Sequence, residues 1–417
     1  MSKLKTNPAI RNLISALLAV GPGLFLIGYN IGTGSVTTMA KVGAEHGMSF
    51  SWALVLSSVF TYILMVAYGK TTIVTGNTAL YNIKTHFKHG KLLAVYIMVS
   101  LVIGELLALM GIMGIVSDLL NEAVVILFGG KGIGTFVITI FLIVCLYALL
   151  WFGQYKLFEK ILIVFVMLMG LSFLLVFFLV KPSISEILIG LIPSIPNKSG
   201  AYSLIAAIAG TTCSAAVFIM RSTVVAEKGW KIEDLKIEKK DSAVSASIMF
   251  LLSFVIMAVS AGTLHVMGIS LNNTVDMIQL FEPIGGKIAA LILILGIVSA
   301  GISTIFPIIL IAPWLICDYT GKERNIKSPM YRILGLIGIL FGIITQFMNA
   351  RPPIIMIFSQ AFQALILPAV AIPIYILITN KDLMQKYKAG TKMKLGIIAV
   401  IIFGFVTSYF AIADLFN

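Results

Sequence analysis

Long apolar segments follow one another through the whole chain, and a bilayer-spanning helix needs about 20 mostly apolar residues. The 417 residues are 59% hydrophobic and only 11% charged, whereas soluble proteins are roughly a quarter charged. This balance excludes a soluble enzyme, a nucleic-acid-binding domain and a disordered protein. We therefore predict an all-α, polytopic membrane protein with eleven transmembrane helices, near residues 12–44, 50–70, 92–120, 133–152, 158–180, 202–223, 242–267, 286–316, 330–349, 353–378 and 394–415.

The basic residues predict the orientation of the chain. With the N-terminus in the cytoplasm, 24 of the 30 Lys and Arg residues fall on the inner side of the membrane and 6 on the outer side. This asymmetry predicts a multi-pass protein of the cytoplasmic membrane, surrounded by lipid, with Asp414 and the C-terminus outside. It also accounts for the net charge of +13 without a nucleic-acid partner.

The only long polar stretch, residues 224–241, follows span 6, which is the first span of the second half. We expect it to form a short amphipathic cytoplasmic helix. The predicted organisation is a first five-helix repeat at 1–180, span 6 with the cytoplasmic linker at 181–241, a second five-helix repeat at 202–378, and an extra span at 394–415.

Two of the apolar segments carry glycine and hydroxyl residues at mid-membrane depth. They are Gly28 to Ser35 in span 1 and Gly210 to Ser214 in span 6, which are the first helices of the two halves. Unwound backbone survives in a membrane only where it lines a cavity or binds a solute, so matching interruptions indicate a transporter substrate site. The alternative is that these small residues only allow close helix packing.

Several short motifs resemble the Nramp family of divalent metal–proton symporters. They are Gly21-Pro22-Gly23, Gly104-Glu105-Leu106, Ala300-Gly301-Ile302-Ser303-Thr304, Ser359-Gln360, Leu367-Pro368 and Pro373, in the family's order. The resemblance implies two inverted five-helix repeats plus one extra helix. It also implies alternating access, in which spans 1, 2, 6 and 7 rock against spans 3, 4, 8 and 9.

The chain departs from the family at its metal ligands. The resemblance places the family's Asp-Pro-Gly-Asn motif on Gly32-Thr33-Gly34-Ser35, so Gly32 and Ser35 stand at the Asp and Asn ligand positions. The Met-Pro-His motif falls on Ser214-Ala215-Ala216. The metal positions Gly32, Ser35 and Ser214 therefore have substituted ligands. In span 3, Glu105 keeps the family's charge and is expected to couple proton movement; the alternative is a structural hydrogen bond to a neighbouring helix.

The expected substrate-binding residues provide only neutral oxygens and amides: Asn30, Gly32, Thr33, Ser35, Thr211, Thr212, Ser214 and Gln360. Neutral groups alone do not hold a dehydrated Mn²⁺ or Fe²⁺, because such an ion gains from a carboxylate and a thioether. Both ligands are expected to be missing from the site. Three interpretations remain open. The site binds a largely hydrated cation such as Mg²⁺, or an amino acid or other small organic solute, or the chain binds no metal and acts as a sensor or a degenerate relative.

No sequence pattern points to an enzyme or to a bound cofactor. We find no nucleophile–base pair, no nucleotide-binding motif and no paired intramembrane Asp residues. Cys145, Cys213 and Cys317 lie far apart and form neither a metal-site nor a disulfide pattern. The 19 Met residues are interpreted as core and lipid-facing packing residues. Transport would then draw on an ion gradient or on downhill flow.

Overall fold

The computed structural model describes residues 22–152, 167, 170–196, 200–348 and 350–413. Within these ranges the chain is helical and contains no strand. The helices are α1 Pro22–Asn30, α2 Thr33–His46, α3 Ser51–Thr75, α4 Ala79–His86, α5 Gly90–Phe128, α6 Thr135–Phe152, α7 Gly170–Val180, α8 Ile184–Ile189, α9 Ala201–Thr212, α10 Ala215–Lys228, α11 Leu235–Ser260, α12 Glu282–Thr320, α13 Pro329–Phe341, α14 Pro352–Thr379, α15 Lys381–Met384 and α16 Thr391–Ala413.

The predicted all-α membrane architecture is confirmed. Nine helical stretches in the described ranges are long and apolar enough to cross a membrane, and they match predicted spans 2 to 4 and 6 to 11. Span 1 begins outside the described ranges, and most of the first half of span 5 lies outside them. Lys156 and Lys160 lie outside them as well. Gly21 and Asp414 also lie outside them. The count of eleven and the division into repeats stay predictions.

Helix α14 lies at the centre of the bundle and packs against α5, α9 and α16. Helix α12 packs along α5, while α11 packs against α2 and α3. Helix α6 lies at the periphery, and side chains such as Phe136, Phe141 and Val144 are exposed there. This distribution suits a lipid-facing surface around a packed core, because lipid tails take up apolar side chains. The interrupted helices are therefore held inside the bundle.

The prediction of a separate amphipathic linker helix at 224–241 is wrong. Helix α10 continues to Lys228 and ends at Gly229, whose φ of 69° is the left-handed conformation that favours glycine. One short 3₁₀ turn, Ile232–Asp234, then leads into α11 at Leu235. The polar stretch is thus divided between two long helices, and two of its five acidic residues, Glu238 and Asp241, are buried.

Those acidic residues belong to a buried ionic cluster formed with Arg221 of α10, which is fully buried. Its guanidinium group pairs with Asp241, and it donates to Glu238 Oε1 at 3.2 Å and Ser242 Oγ at 3.0 Å. The Gly23 amide of α1 donates to Asp241 Oδ1 at 3.3 Å. This cluster ties α1, α10 and α11 together, because a buried charge is stable only when it is paired and hydrogen-bonded.

Candidate functional site

Both predicted helix interruptions are confirmed. Helix α1 ends at Asn30 and α2 begins at Thr33, with Gly32 in an extended conformation between them (φ −105°, ψ −166°). Helix α9 ends at Thr212 and α10 begins at Ala215. Each break exposes backbone groups that an unbroken helix would pair internally.

Hydroxyl groups join the two breaks directly. Ser35 Oγ donates to the Asn30 carbonyl at 2.7 Å and lies 2.8 Å from Thr211 Oγ1. Because the Ser35 proton is committed to Asn30, the Thr211 hydroxyl is the donor between them. The α1–α2 break and the end of α9 are therefore linked through two side chains.

A small cavity, with about 30 Å³ open to the centre of a water-sized sphere, lies where the breaks meet α5, α12 and α14 and opens partly to solvent. Nine of its fifteen lining residues have polar side chains, and one of these is a carboxylate. The lining residues are Tyr29, Asn30, Gly32, Gly34, Ser35, Glu105, Ala108, Ile112, Thr211, Ser214, Thr304, Ile308, Met356, Gln360 and Gln363. This arrangement can hold a small solute or ion through oxygens and amides from six helices.

Most of the expected site residues line this cavity: Asn30, Gly32, Ser35, Thr211, Ser214, Gln360 and Glu105. The structure does not bring Thr33 and Thr212 to it. The Thr33 hydroxyl lies against Gly301 of α12. Thr212 is buried, and its carbonyl accepts a hydrogen bond from Thr61 Oγ1 at 2.7 Å. Neighbouring residues at a helix end point in different directions, so adjacent hydroxyls cannot all face one cavity.

Glu105 of α5 faces the cavity. Tyr29 Oη donates to Glu105 Oε1 at 2.7 Å, and Gln363 Nε2 donates to the same oxygen at 2.8 Å. Ser214 Oγ in turn donates to Gln363 Oε1 at 2.8 Å. A hydrogen-bonded chain therefore connects Ser214 at the second break to Glu105 on α5 and Tyr29 at the first break. Within the described ranges no hydrogen bond reaches Glu105 Oε2, which leaves that oxygen to face the cavity.

The sequence interpretation missed Tyr29, Met356 and Gln363. A thioether side chain is present after all, because Met356 lines the cavity while it also packs in the buried core beside Gly111. Met356, Gln360 and Gln363 are spaced i, i+4 and i+7 along α14, which places them on one helix face. That spacing around Gln360 is the signal from which the other two residues follow.

Metal-ligand clusters of the usual kind are absent from the described part of the chain, where no group of three or more His, Cys, Asp or Glu side chains comes together. Of the lining residues, only Glu105 is acidic. An ion in this cavity would therefore be coordinated chiefly by neutral oxygens, with one carboxylate and one thioether.

Known proteins resemble this chain in sequence and in fold. The divalent metal cation transporters MntH of Staphylococcus saprophyticus and Staphylococcus haemolyticus are both 23% identical to it, over 88% and 99% of the chain and 85% and 95% of their own lengths. A manganese transporter of Eremococcus coleocola, solved with an aromatic bis-isothiourea compound, superposes with a TM-score of 0.71 at 17% identity, covering 100% of this chain and 91% of that one.

A second kind of transporter shares the fold more distantly. Mhp1, a nucleobase–cation symport-1 family transporter solved in a closed conformation with bromovinylhydantoin bound, has a TM-score of 0.59 at 14% identity and covers 94% of this chain and 92% of that one. The Nramp family model, described as natural resistance-associated macrophage protein-like, matches residues 23–414. The chain therefore belongs to the Nramp family of multi-pass membrane transporters of divalent metal cations and is not an enzyme.

Proposed function

We propose that this chain is a secondary active transporter that moves a cation through the cavity by alternating access. The observation that carries the proposal is the meeting of two helix breaks at a cavity that contains one carboxylate, Glu105. Unwound backbone and an intramembrane charge are both costly in lipid and are typical of a transport site. We place the protein in the cytoplasmic membrane with its N-terminus inside and its C-terminus outside.

The proposed cargo is a divalent metal ion that keeps part of its water, closer to Mg²⁺ than to a tightly bound Mn²⁺ or Fe²⁺. One carboxylate neutralises only half of the charge of a dication, and the hydroxyl and amide oxygens suit a hydrated ion. Met356 is the one soft donor in the lining and favours Mn²⁺. Replacing Met356 with Leu therefore distinguishes the two ions, because only Mn²⁺ transport depends on a thioether.

Proton coupling is assigned to Glu105. Its partner Tyr29 lies on α1, in the group of spans proposed to rock, while Glu105 lies on α5 in the proposed scaffold. The hydrogen bond between them crosses the boundary between the two groups. Rocking would separate this pair and change the environment of the carboxylate, which supports binding and release of a proton on opposite sides of the membrane.

An amino acid or other small organic solute is the second candidate. The first turn of α2 begins at Thr33 beside the cavity, and the amides of such a turn have no partner within the helix. They attract a carboxylate through the positive end of the helix dipole. The bound bromovinylhydantoin of Mhp1 shows that the shared fold accommodates an organic molecule in that protein.

Substrate screening by thermal shift tests the proposal. We expect Mg²⁺ or Mn²⁺ to raise the Tm of the detergent-purified protein saturably, since a ligand specific for the folded state stabilises it by mass action. Amino acids and small amines are screened beside the cations at two pH values. A response to one of them without any cation response would replace the cation proposal with the organic-solute one.

Ser35→Ala and Ser214→Ala are expected to weaken the ligand response by about fivefold each, since each removes a hydroxyl contact to the bound ligand worth about 1 kcal/mol. The measurement is the ligand concentration at half-maximal Tm shift. Ser117→Ala is the matched control, because Ser117 is also buried and hydrogen-bonded, to Thr139 at 2.7 Å, but does not line the cavity. Equal ligand responses in all three variants would show that the two helix breaks do not contribute to ligand binding.

Gly32→Ala is expected to destabilise the protein by about 1–3 kcal/mol through overpacking. A Cβ atom at Gly32 overlaps the Thr304 side chain, whereas one at Gly28 meets no atom within 4 Å. Gly28→Ala is therefore the control and should leave the Tm near that of the wild type. The same overlap predicts that an Asp at position 32 requires Thr304→Ala as well. A Gly32→Asp variant as stable as the wild type would contradict this packing.

A further inference from the structure

The end of α1 presents carbonyl oxygens that no amide from the described part of the chain reaches. The Ile31 amide still bonds to the Ile27 carbonyl at 2.8 Å, and the Val36 amide bonds to the Gly32 carbonyl at 3.1 Å. Between these two bonds, no backbone amide in the described ranges reaches the carbonyls of Gly28 or Ile31. These two carbonyls are three residues apart at the negative end of a helix, where unpaired oxygens attract cations.

Thr304 of α12 lies opposite this helix end, and Ser303 shares its hydrogen-bond acceptor. Ser303 Oγ and Thr304 Oγ1 both donate to the Ala300 carbonyl, at 2.8 and 2.9 Å. Each hydroxyl proton is therefore already used, and the oxygen lone pairs are left to accept. Thr304 lies directly against Gly32, so the break and this turn of α12 are in contact.

The contact surface also contains a buried hydroxyl that lacks a partner. Thr33 is fully buried, and its Oγ1 makes no hydrogen bond to any residue that the structure describes. A Cβ atom at Gly301 would come within 2.7 Å of this oxygen, so the hydroxyl points at the same turn of α12. An unpaired buried hydroxyl is costly, and a bound ion or its water would satisfy it.

We propose that a monovalent cation of the size of Na⁺ binds between the α1–α2 break and α12. Its ligands are the carbonyl oxygens of Gly28 and Ile31 together with Ser303 Oγ and Thr304 Oγ1. All of these oxygens are neutral, and neutral oxygens alone suit a monovalent ion, because a dehydrated dication needs carboxylate charge. Unwound carbonyls and half-helix C-terminal ends are the groups that hold Na⁺ in transporters with broken helices.

This ion would give the transporter a coupling partner in addition to the solute, bound beside the cavity that Gly32 and Thr304 also line. Helix α1 belongs to the proposed rocking group and α12 to the proposed scaffold, so a cation held between them favours the conformations in which the two are close. Differential affinity for two conformations is the physical basis of coupling. The proposal adds a Na⁺ gradient as the driving force and does not depend on which solute the cavity takes.

Thermal stability of the full chain in Na⁺, K⁺ and N-methyl-D-glucamine chlorides at constant ionic strength, without added substrate, tests the site. We expect a saturable rise in Tm that is specific for Na⁺. Thr304→Val and Ser303→Ala each remove one ligand and should weaken the apparent Na⁺ affinity by roughly 10- to 100-fold, whereas Thr304→Ser should retain it.

Ser299→Ala is the matched control, because Ser299 lies on the same helix, is buried, and bonds only to the Leu295 carbonyl in the described structure. If Thr304→Val does not fold, Ser303→Ala provides the same test. Equal stabilisation by all three salts, or a Na⁺ response unchanged in the ligand variants, overturns the proposal. The divalent-ion and amino-acid screens are separate measurements, so their failure is distinguishable from failure of the Na⁺ site.

Discussion

Glu105→Gln is expected to abolish proton movement and to reduce substrate transport by roughly 30-fold or more. The carboxylate is the only acidic side chain among the residues that line the cavity, so its removal leaves a bound cation without a charge partner. Loss of one member of a buried charge pair costs about 2–5 kcal/mol. The measurement is substrate uptake into proteoliposomes, with a pH-sensitive dye reporting proton flux in the same vesicles.

Glu122→Gln is the control for this experiment, because Glu122 lies on the same helix but does not line the cavity. Tyr29→Phe refines the result, since it removes one of the two hydrogen bonds to Glu105 Oε1 and keeps the charge. Proton flux that persists in Glu105→Gln would remove this residue from the coupling mechanism and leave it a structural role.

Arg221→Met is expected to destabilise the folded protein by about 3–5 kcal/mol, because it leaves the buried carboxylates of Glu238 and Asp241 without a cation. The guanidinium group lies between these two acids and is shielded from solvent. A methionine has nearly the same reach but carries no charge. The expected result is a large decrease in Tm together with a lower midpoint of unfolding in denaturing detergent.

Restoring charge balance should reverse this loss. The triple variant Arg221→Met, Glu238→Gln, Asp241→Asn has no uncompensated charge, and neutral replacement of a buried ionic cluster is often tolerated. Lys228→Met is the control for charge removal, since Lys228 lies on the same helix and is exposed. Wild-type stability in Arg221→Met alone would show that the two acids are neutral or solvated in the folded protein.

Local patterns predicted the spans and the breaks well. A run of apolar residues such as 92–120 becomes a membrane helix because lipid leaves the backbone no other hydrogen-bond partner. The same constraint makes glycine-rich polar segments, Gly28 to Ser35 and Gly210 to Ser214, stand out as interruptions. The linker prediction failed because the polarity of 224–241 was taken to mean exposure, whereas Arg221 draws Glu238 and Asp241 into the interior.

The rotation of each helix about its own axis was not predictable in the same way. Glu105, Met356 and Gln363 come from α5 and α14, and their convergence depends on how those helices pack against each other. Thr33 and Thr212, next to the breaks, turn away from the cavity for the same reason. Side-chain direction follows from helix phase, and phase is set by contacts with neighbouring helices.

The apolar segments and their polar interruptions were enough to predict a multi-pass helical membrane protein with two broken helices. Both properties follow from the cost of unpaired backbone in lipid, which acts within each segment. Helix packing, by contrast, turned Glu105 towards the cavity, brought the Met356 thioether side chain to its wall and set Thr304 against Gly32. These contacts join residues far apart in the chain, and they form only when whole helices pack against each other.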